Sequence, residues 1–197
     1  MKSLTQKKVI TLLSLALFLS SNFTFAAENL IQQGDFEGPH DLWIPKNDVV
    51  ASTITSDTGT GNSANKVLEL TGRTSHNDSA KQTVPGMIAG HAYRFTAKLK
   101  TGTSNTGEKV SVGTSYRLVD ATDDTFVTIG TATLSEGAWV DYSATFTLPA
   151  DFDETASFKI WAKSVNGTTS TLYGDDFVLL DLDGDNPPAQ HSKAATY

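Results

Sequence analysis

Cysteine is absent from the 197 residues of the sequence, so no disulfide bond can stabilise an exported fold. Long apolar runs are also missing after residue 19, and no segment beyond residue 26 repeats apolar residues with the period of an amphipathic helix. These absences exclude a disulfide scaffold and a helical bundle. A packed core of strands, or a bound metal, must hold the chain together.

Positive charge is scarce as well, with 15 Lys and Arg residues against 22 Asp and Glu residues. Three of the basic residues, Lys2, Lys7 and Lys8, lie in the first 26 residues, so the remainder has a net charge of −10. Nucleic acid binding through overall charge is therefore excluded, because such binding requires many phosphate contacts by cations.

Residues 1–26 have the features of a signal peptide: a basic start, an apolar run over 9–19, and small residues at Thr24 and Ala26. Cleavage before Ala27 would give a soluble, secreted protein without membrane insertion. The apolar run is too short for a spanning helix. The alternative is an uncleaved anchor at 10–19.

Catalytic motifs are lacking too. The sequence contains no Gly-x-Ser-x-Gly, no His-Glu-x-x-His and no phosphate-binding glycine loop, and its four histidines have no ligand spacing. Acidic residues at 123–124 and 151–154 fall in predicted turns. A glycoside hydrolase or polysaccharide lyase remains the less favoured alternative, because its acid and base need to meet only in space.

What the sequence does contain is a series of short, alternating runs rich in β-branched and aromatic residues, separated by Gly- and Asp-rich turns. This pattern predicts an all-β fold, an antiparallel β-sandwich with jelly-roll topology, over residues 27–182. A polar tail follows at 183–197. The predicted strands are 29–33, 49–55, 66–71, 79–84, 91–100, 109–119, 125–134, 139–148, 156–164 and 171–181.

The run 157–164 carries the strongest functional signal. As a strand it points Phe158, Ile160 and Ala162 towards the core and leaves Trp161 exposed between Lys159 and Lys163. An exposed indole can stack on a sugar ring. The alternative is a rim tryptophan covered by the loop at 166–170.

Three segments resemble the carbohydrate-binding modules of the family 4/9/22 type, which have a galactose-binding-like β-sandwich. They are the opener Asn-Leu-Ile-Gln-Gln-Gly-Asp-Phe-Glu at 29–37 followed by Trp43, the central pair at 67–73 and 84–93, and the closer Leu-Tyr-Gly-Asp-Asp-Phe-Val-Leu at 172–179. The resemblance implies a non-catalytic protein that binds polysaccharide or oligosaccharide, in many cases accessory to a glycoside hydrolase or lyase.

The resemblance also implies site residues. Arg73 stands where xylan-binding relatives have a sugar-contacting arginine, and Trp161 keeps an outward aromatic residue. Lys98 stands where those relatives have another aromatic, which argues against simple xylan recognition. Asn77, with Asp78, lies on the turn beside Arg73, and such polar groups fix sugar hydroxyls.

Basic residues on predicted outward faces suggest an anionic ligand such as a uronate polysaccharide. The alternative is that these cations only solvate separate strand faces. The six positions, half of the basic residues after residue 26, are Arg94, Lys98, Lys109, Arg117, Lys159 and Lys163.

Glu37, Asp175 and Asp176 resemble the calcium positions of the family. Calcium prefers hard oxygen ligands, and a structural ion here would tie the first segment to the last strand. The acidic run at 181–186 fails as an EF-hand loop, because Asn186 and Ser192 stand where glycine and glutamate are required.

Together these features predict a secreted, monomeric, non-catalytic carbohydrate-binding module with structural calcium. The rival hypothesis is a structural or adhesive surface protein that uses the same sandwich for protein contacts.

Overall fold

The computed structural model describes residues 28–47, 49–102, 107–134, 137–165 and 169–184, and the predicted signal peptide and most of the predicted tail lie outside them. This part of the chain contains ten strands and no helix long and apolar enough to cross a membrane. The strands are β1 Ile44–Lys46, β2 Val50–Thr55, β3 Lys66–Thr71, β4 Ser79–Val84, β5 Ala92–Thr101, β6 Lys109–Tyr116, β7 Thr125–Thr133, β8 Val140–Thr147, β9 Phe158–Val165 and β10 Leu172–Asp181.

The ten strands form two sheets of five. The first sheet has the order β1-β4-β9-β6-β7 and the second has the order β2-β3-β10-β5-β8. All the strand pairs in both sheets are antiparallel. The predicted antiparallel β-sandwich is confirmed.

The core lies between the sheets and is rich in aromatic rings. From the first sheet, Phe158 and Ile160 are buried, and from the second, Tyr93 and Phe95 are buried. Phe146 and Phe158 stack across the sheets with ring centroids 5.9 Å apart. Because inward residues alternate with outward ones, each sheet also has a second face turned away from the core.

The predicted strands agree with the observed ones within a few residues, with two exceptions. The segment 29–33 forms only a single bridge, between Asn29 and Leu180, and β1 was not predicted. Pro45 in the middle of β1 lacks an N–H donor, which is tolerated because β1 is an edge strand with one neighbour.

The opening segment is nevertheless fixed to the last strand. Leu30 donates its N–H to the carbonyl oxygen of Leu179, and Phe177 donates to that of Gly34. A Cβ atom on Gly34 would lie 2.2 Å from the Phe177 oxygen, so only glycine permits this approach. The contact brings the acidic residues of the opener and of β10 to the same end of the sandwich.

Candidate binding site on the first sheet

Trp161 lies on the outer face of the first sheet, as the alternation predicted, but it is not exposed. Its exposed fraction is 4 %, which corrects the prediction of an exposed indole. The reason is the neighbouring residue, Gly113 on β6, which pairs directly with Trp161. A Cβ atom on Gly113 would lie 2.5 Å from Cε2 of the indole, so the ring fills the space that a side chain would occupy. The indole is therefore sunk into the sheet.

The exposed aromatic ring of this face is Phe126 on β7, with an exposed fraction of 70 %. Its ring centroid lies 6.4 Å from that of Trp161, with the two planes at 64°. Phe126 is not among the predicted site residues, although its strand pattern carries the signal. Inside its predicted strand, Phe126 and Thr128 alternate with Val127 and Ile129, which places a phenylalanine on the polar side.

Two hollows flank this pair of rings. The first has a volume of about 380 Å³ and the second about 280 Å³. Both are lined by Lys46, Phe126 and Trp161. The first hollow adds Asn77, Thr128 and Lys163, and the second adds Lys81, Ser115, Asp124 and Lys159.

The lysines of the hollows differ in their partners. Lys159 donates to Asp124 at 3.1 Å, and Arg117 donates to the other carboxylate oxygen of Asp124 at 3.3 Å. Lys81 and Lys163 pair with no carboxylate in the part of the chain that the structure describes. Burial lowers the pKa of Lys163. Positive charge without a protein counter-ion therefore lines the hollows.

Lys46 also lacks a carboxylate partner among the described residues. Its Nζ atom donates to the carbonyl oxygen of Asn77 at 3.2 Å and lies 5.0 Å from the centroid of the Trp161 ring. Burial lowers the pKa of Lys46, the charges of Lys163 and Lys81 lower it further, and the charge of Asp78 opposes them. Lys46 was missed at the sequence level because the short strand that carries it was not predicted.

Arg73 does not reach this surface. Its exposed fraction is 6 %, and its guanidinium donates to the carbonyl oxygens of Asp78 at 2.9 Å and Ser170 at 2.5 Å and to the Ser164 hydroxyl at 2.7 Å. The predicted sugar contact by Arg73 is thus not available in this arrangement. Instead, Arg73 supports the turn that carries Asn77 into the first hollow.

The same turn is fixed by Asp78, whose exposed fraction is 2 %. One carboxylate oxygen accepts from Asn47 Nδ2 at 2.5 Å, and the other accepts from the backbone N–H groups of Thr74 and Ser75, each at 2.8 Å. These hydrogen bonds, the one from Asn47 first, lower the pKa of Asp78 to about 2. One buried carboxylate thus joins the turn to Asn47, which follows β1.

The structure does not bring all of the predicted cations together. Lys109, Lys159 and Lys163 lie on strands of the first sheet and Arg117 follows β6, but Arg94 and Lys98 lie on β5 of the second sheet. Lys98 donates instead to Asp141 at 2.9 Å. The prediction of one cationic face with all six residues is wrong, because strand alternation fixes the side of a residue within a sheet but not the sheet itself.

The second sheet carries an aromatic group of its own. The ammonium of Lys100 lies 4.9 Å from the ring centroid of Trp139 and 4.7 Å from that of Tyr173. This lysine therefore occupies the space between the two rings. The group is the natural comparison for Trp161 in any experiment that asks which face binds a ligand.

Asp175 occupies the end of the sandwich where the opener meets β10. Its exposed fraction is 1 %, its Oδ2 atom accepts from Asn65 at 2.8 Å, and its buried Oδ1 atom has no hydrogen-bond partner among the described residues. Burial raises the pKa of Asp175 to about 6, and the charges of Asp176 and Glu37 add to this effect. Among the described residues, no three His, Cys, Asp or Glu side chains form a metal-binding group. A cation here would need backbone or water oxygens as further ligands.

Comparison with known proteins supplies the family. The model of a family described as "Carbohydrate binding domain" matches residues 28–171. No curated protein matches the sequence.

Solved structures share the fold. The C-terminal family 22 carbohydrate-binding module of Clostridium thermocellum Xyn10B superposes with a TM-score of 0.65 at 15 % identity, over 75 % of this chain and 91 % of that one. The CBM22-1 and GH10 modules of the xylanase Xyn10B of the same organism, solved with xylohexaose, give 0.65 at 19 % identity over 79 % of this chain and 29 % of that one. A family 16 module gives 0.56 at 25 % identity over 78 % and 100 %.

Proposed function

Since the chain belongs to the carbohydrate-binding modules of the family 4/9/22 type, we propose that it binds polysaccharide on the outer face of its first sheet, and that the ligand is anionic. The observation that carries the proposal is the pair of rings Phe126 and Trp161 between two hollows. Phe126 offers an exposed apolar ring to the C–H face of a sugar, and polar groups around it are placed to fix hydroxyls.

The indole of Trp161, which lines both hollows, carries a donor without a partner in the described part of the chain. The Nε1 atom of Trp161 is buried and has no hydrogen-bond partner among the described residues, and the same holds for Nε1 of Trp139 beside the second sheet. Unpaired buried polar atoms are costly, so a ligand that approaches them gains by supplying the missing partner. The amide of Asn77, on the turn that Arg73 and Asp78 support, adds a further polar group in the first hollow.

The preference for an anion is supported by Lys46, Lys81 and Lys163, none of which has a carboxylate partner among the described residues. Asp124 is the carboxylate in the lining of the hollows, and it is engaged by Lys159 and Arg117. A uronate carboxylate would provide the negative charge that this face lacks, although the protein as a whole is acidic.

The rival function, adhesion through protein contacts, would need a continuous apolar patch. The large apolar residues that are exposed include Ile44, Val50 and Val119, which lie on different elements. The face around Phe126 is lined mainly by polar side chains, four of them lysines, which suits a sugar better.

We also propose that the protein is secreted, since residues 1–26 read as a signal peptide, and that it binds structural calcium. The carboxylates of Asp175 and Glu37 would hold the ion, together with backbone or water oxygens. The unpartnered Oδ1 atom of buried Asp175 fits this role, because a cation would satisfy it. Calcium would then join the opener to β10 without taking part in sugar binding.

Affinity electrophoresis tests the sugar proposal. Gels would contain xylan, β-glucan, polygalacturonate, alginate or β-1,4-glucuronan, and the matched variants are Lys163→Glu on the first sheet and Lys98→Glu on the second. We expect retardation of the wild type in an acidic gel, loss of retardation in Lys163→Glu, and no change in Lys98→Glu. Retardation that depends on Lys98 and not on Lys163 would place the ligand on the other face.

A further inference from the structure

Trp161 is closed on both sides in the free protein. Gly113, which belongs to the sheet itself, contacts the side of the indole that faces the sheet. The ammonium of Lys46 lies over the ring, 5.0 Å from its centroid. With 4 % of Trp161 exposed, no pyranose can stack on it while Lys46 stays in place.

Lys46 is held over the ring by weak contacts. Its Nζ atom donates to the carbonyl oxygen of Asn77, and its ammonium has a cation–π contact with the indole. The opposing influences are the loss of hydration and the nearby charges of Lys163 and Lys81, which outweigh the attraction of the Asp78 carboxylate. An anion placed among the three lysines offers the ammonium of Lys46 a stronger partner than a neutral carbonyl or a ring face.

We propose that Lys46 is a cover over Trp161 that a sugar carboxylate removes. The carboxylate of a uronate residue in either hollow draws the ammonium of Lys46 off the indole, and the uncovered ring then stacks on a sugar of the same chain. Recognition of charge and stacking on Trp161 are thereby coupled. This inference rests on the proposed function of the same face.

The coupling explains how one site selects acidic over neutral glycans. A neutral chain stacks on Phe126 but leaves Lys46 over Trp161, or must displace it without compensation. An acidic chain displaces Lys46 and stacks on both Phe126 and Trp161. Selectivity for acidic over neutral glycans then has two sources. One is the direct attraction between opposite charges, and the other is the contact of Lys46 with Trp161 in the free protein, which only an acidic ligand displaces with compensation.

The test separates the cover from simple attraction by comparing Lys46→Ala with Lys81→Ala. Both variants remove one cation of the cluster, but of the two lysines the structure places only Lys46 over the ring. The ligands are a β-1,4-glucuronan hexamer and cellohexaose, which differ in oxidation at C6, and hexagalacturonate with its methyl ester. Isothermal titration calorimetry gives the affinities, and thermal melting confirms that each variant is folded.

We expect the wild type to prefer the acidic member of at least one pair. Lys81→Ala weakens binding of the acidic ligand and leaves the neutral one unchanged. Lys46→Ala weakens binding of the acidic ligand and strengthens binding of the neutral one by about fivefold, the size of a cation–π contact converted to affinity.

Three results overturn the inference. They are a wild type without preference for the acidic ligands, a Lys46→Ala variant that binds neutral ligands no better than the wild type, and a gain for neutral ligands that Lys81→Ala reproduces. In each of these cases polysaccharide binding on the first sheet still stands if Phe126→Ala weakens it, but a wild type without preference for the acidic ligands also overturns the proposal that the ligand is anionic. Absence of binding to every acidic and neutral ligand, including those of the affinity gels, overturns both.

Discussion

Replacing Phe126 with alanine separates binding from folding more cleanly than any other change at this site. Phe126 is the exposed ring of the pair, with 70 % of its surface open, whereas Trp161 is almost fully enclosed. Truncating Trp161 would leave a void above Gly113 and confuse loss of packing with loss of binding. Truncating Phe126 removes a ring that contributes little to the core.

The magnitude follows from area. A fully covered aromatic side chain buries roughly 150–250 Å², and a sugar that covers one face of a ring already 70 % exposed removes about 60 Å² of apolar surface from water. At ~25 cal/mol per Å² this contributes about 1.5 kcal/mol. The dissociation constant should therefore rise about tenfold in Phe126→Ala. The free energy of unfolding should change by less than about 0.5 kcal/mol, as for other surface substitutions.

Isothermal titration calorimetry, with the glycan that affinity gels retain best, measures the dissociation constant. Thermal melting measures the change in stability. Phe126→Tyr keeps the ring and should bind as the wild type does. Val50→Ala, which shortens a residue 57 % exposed on the second sheet, should change neither quantity. Unchanged affinity in Phe126→Ala would refute the stacking argument, and a fall in melting temperature equal to that of a core substitution would show that the ring is structural.

Three further predictions concern the parts that hold the site. Gly113→Ala places a Cβ atom 2.5 Å from the indole, so the ring must move away from the sheet. We expect a loss of about 1–3 kcal/mol in unfolding free energy and a shifted Trp161 fluorescence maximum. An unchanged melting temperature would contradict the packing described. Asp78→Asn should be less stable than the wild type at pH 5, and the difference in urea midpoint should shrink as pH falls from about 4 to about 2. The reason is that the carboxylate of Asp78, with its lowered pKa, stabilises the fold only while it is charged. A pH-independent difference in urea midpoint would argue against this role of Asp78. Calcium should raise the melting temperature, and a chelator should lower it. Asp175→Asn should abolish this calcium response, while Asp123→Asn, in an exposed loop, should keep it. Equal calcium responses in the two variants would exclude Asp175 as a ligand.

The fold was predictable because two-residue alternation is a local property. Each of the long strands β5, β6 and β10 shows its core-facing side through residues such as Tyr93, Val112 and Leu172. Among the described strands, only the pairs β2-β3 and β6-β7 join consecutive strands, so the order of the other strands in the sheets was not readable from turns. The edge strand β1 was missed because it is three residues long and contains Pro45, which removes a backbone donor.

The site was predictable only in part, since it depends on relations between strands. Alternation placed Trp161 on an outer face, but its depth is set by Gly113 on a different strand, about fifty positions away in the chain. Lys98 and Lys163 have the same outward pattern yet lie on opposite sheets. Arg73 has the position of a ligand contact in the motif, but its partners, Ser164 and Ser170, come from much later in the sequence.

The most direct measurement of the central claim uses the three tryptophan indole N–H groups, which report on three separate places. That of Trp43 donates to Gln33 in the core, that of Trp139 lies on the second sheet, and that of Trp161 lies between the two hollows. Nuclear magnetic resonance spectra, assigned with Trp→Phe variants, would be recorded during titration with xylohexaose and with the β-1,4-glucuronan hexamer. Binding on the first sheet predicts that the Trp161 signal shifts, most with the acidic ligand, while those of Trp43 and Trp139 stay in place. A shift of Trp139 with Trp161 unmoved would contradict the assignment of the binding face.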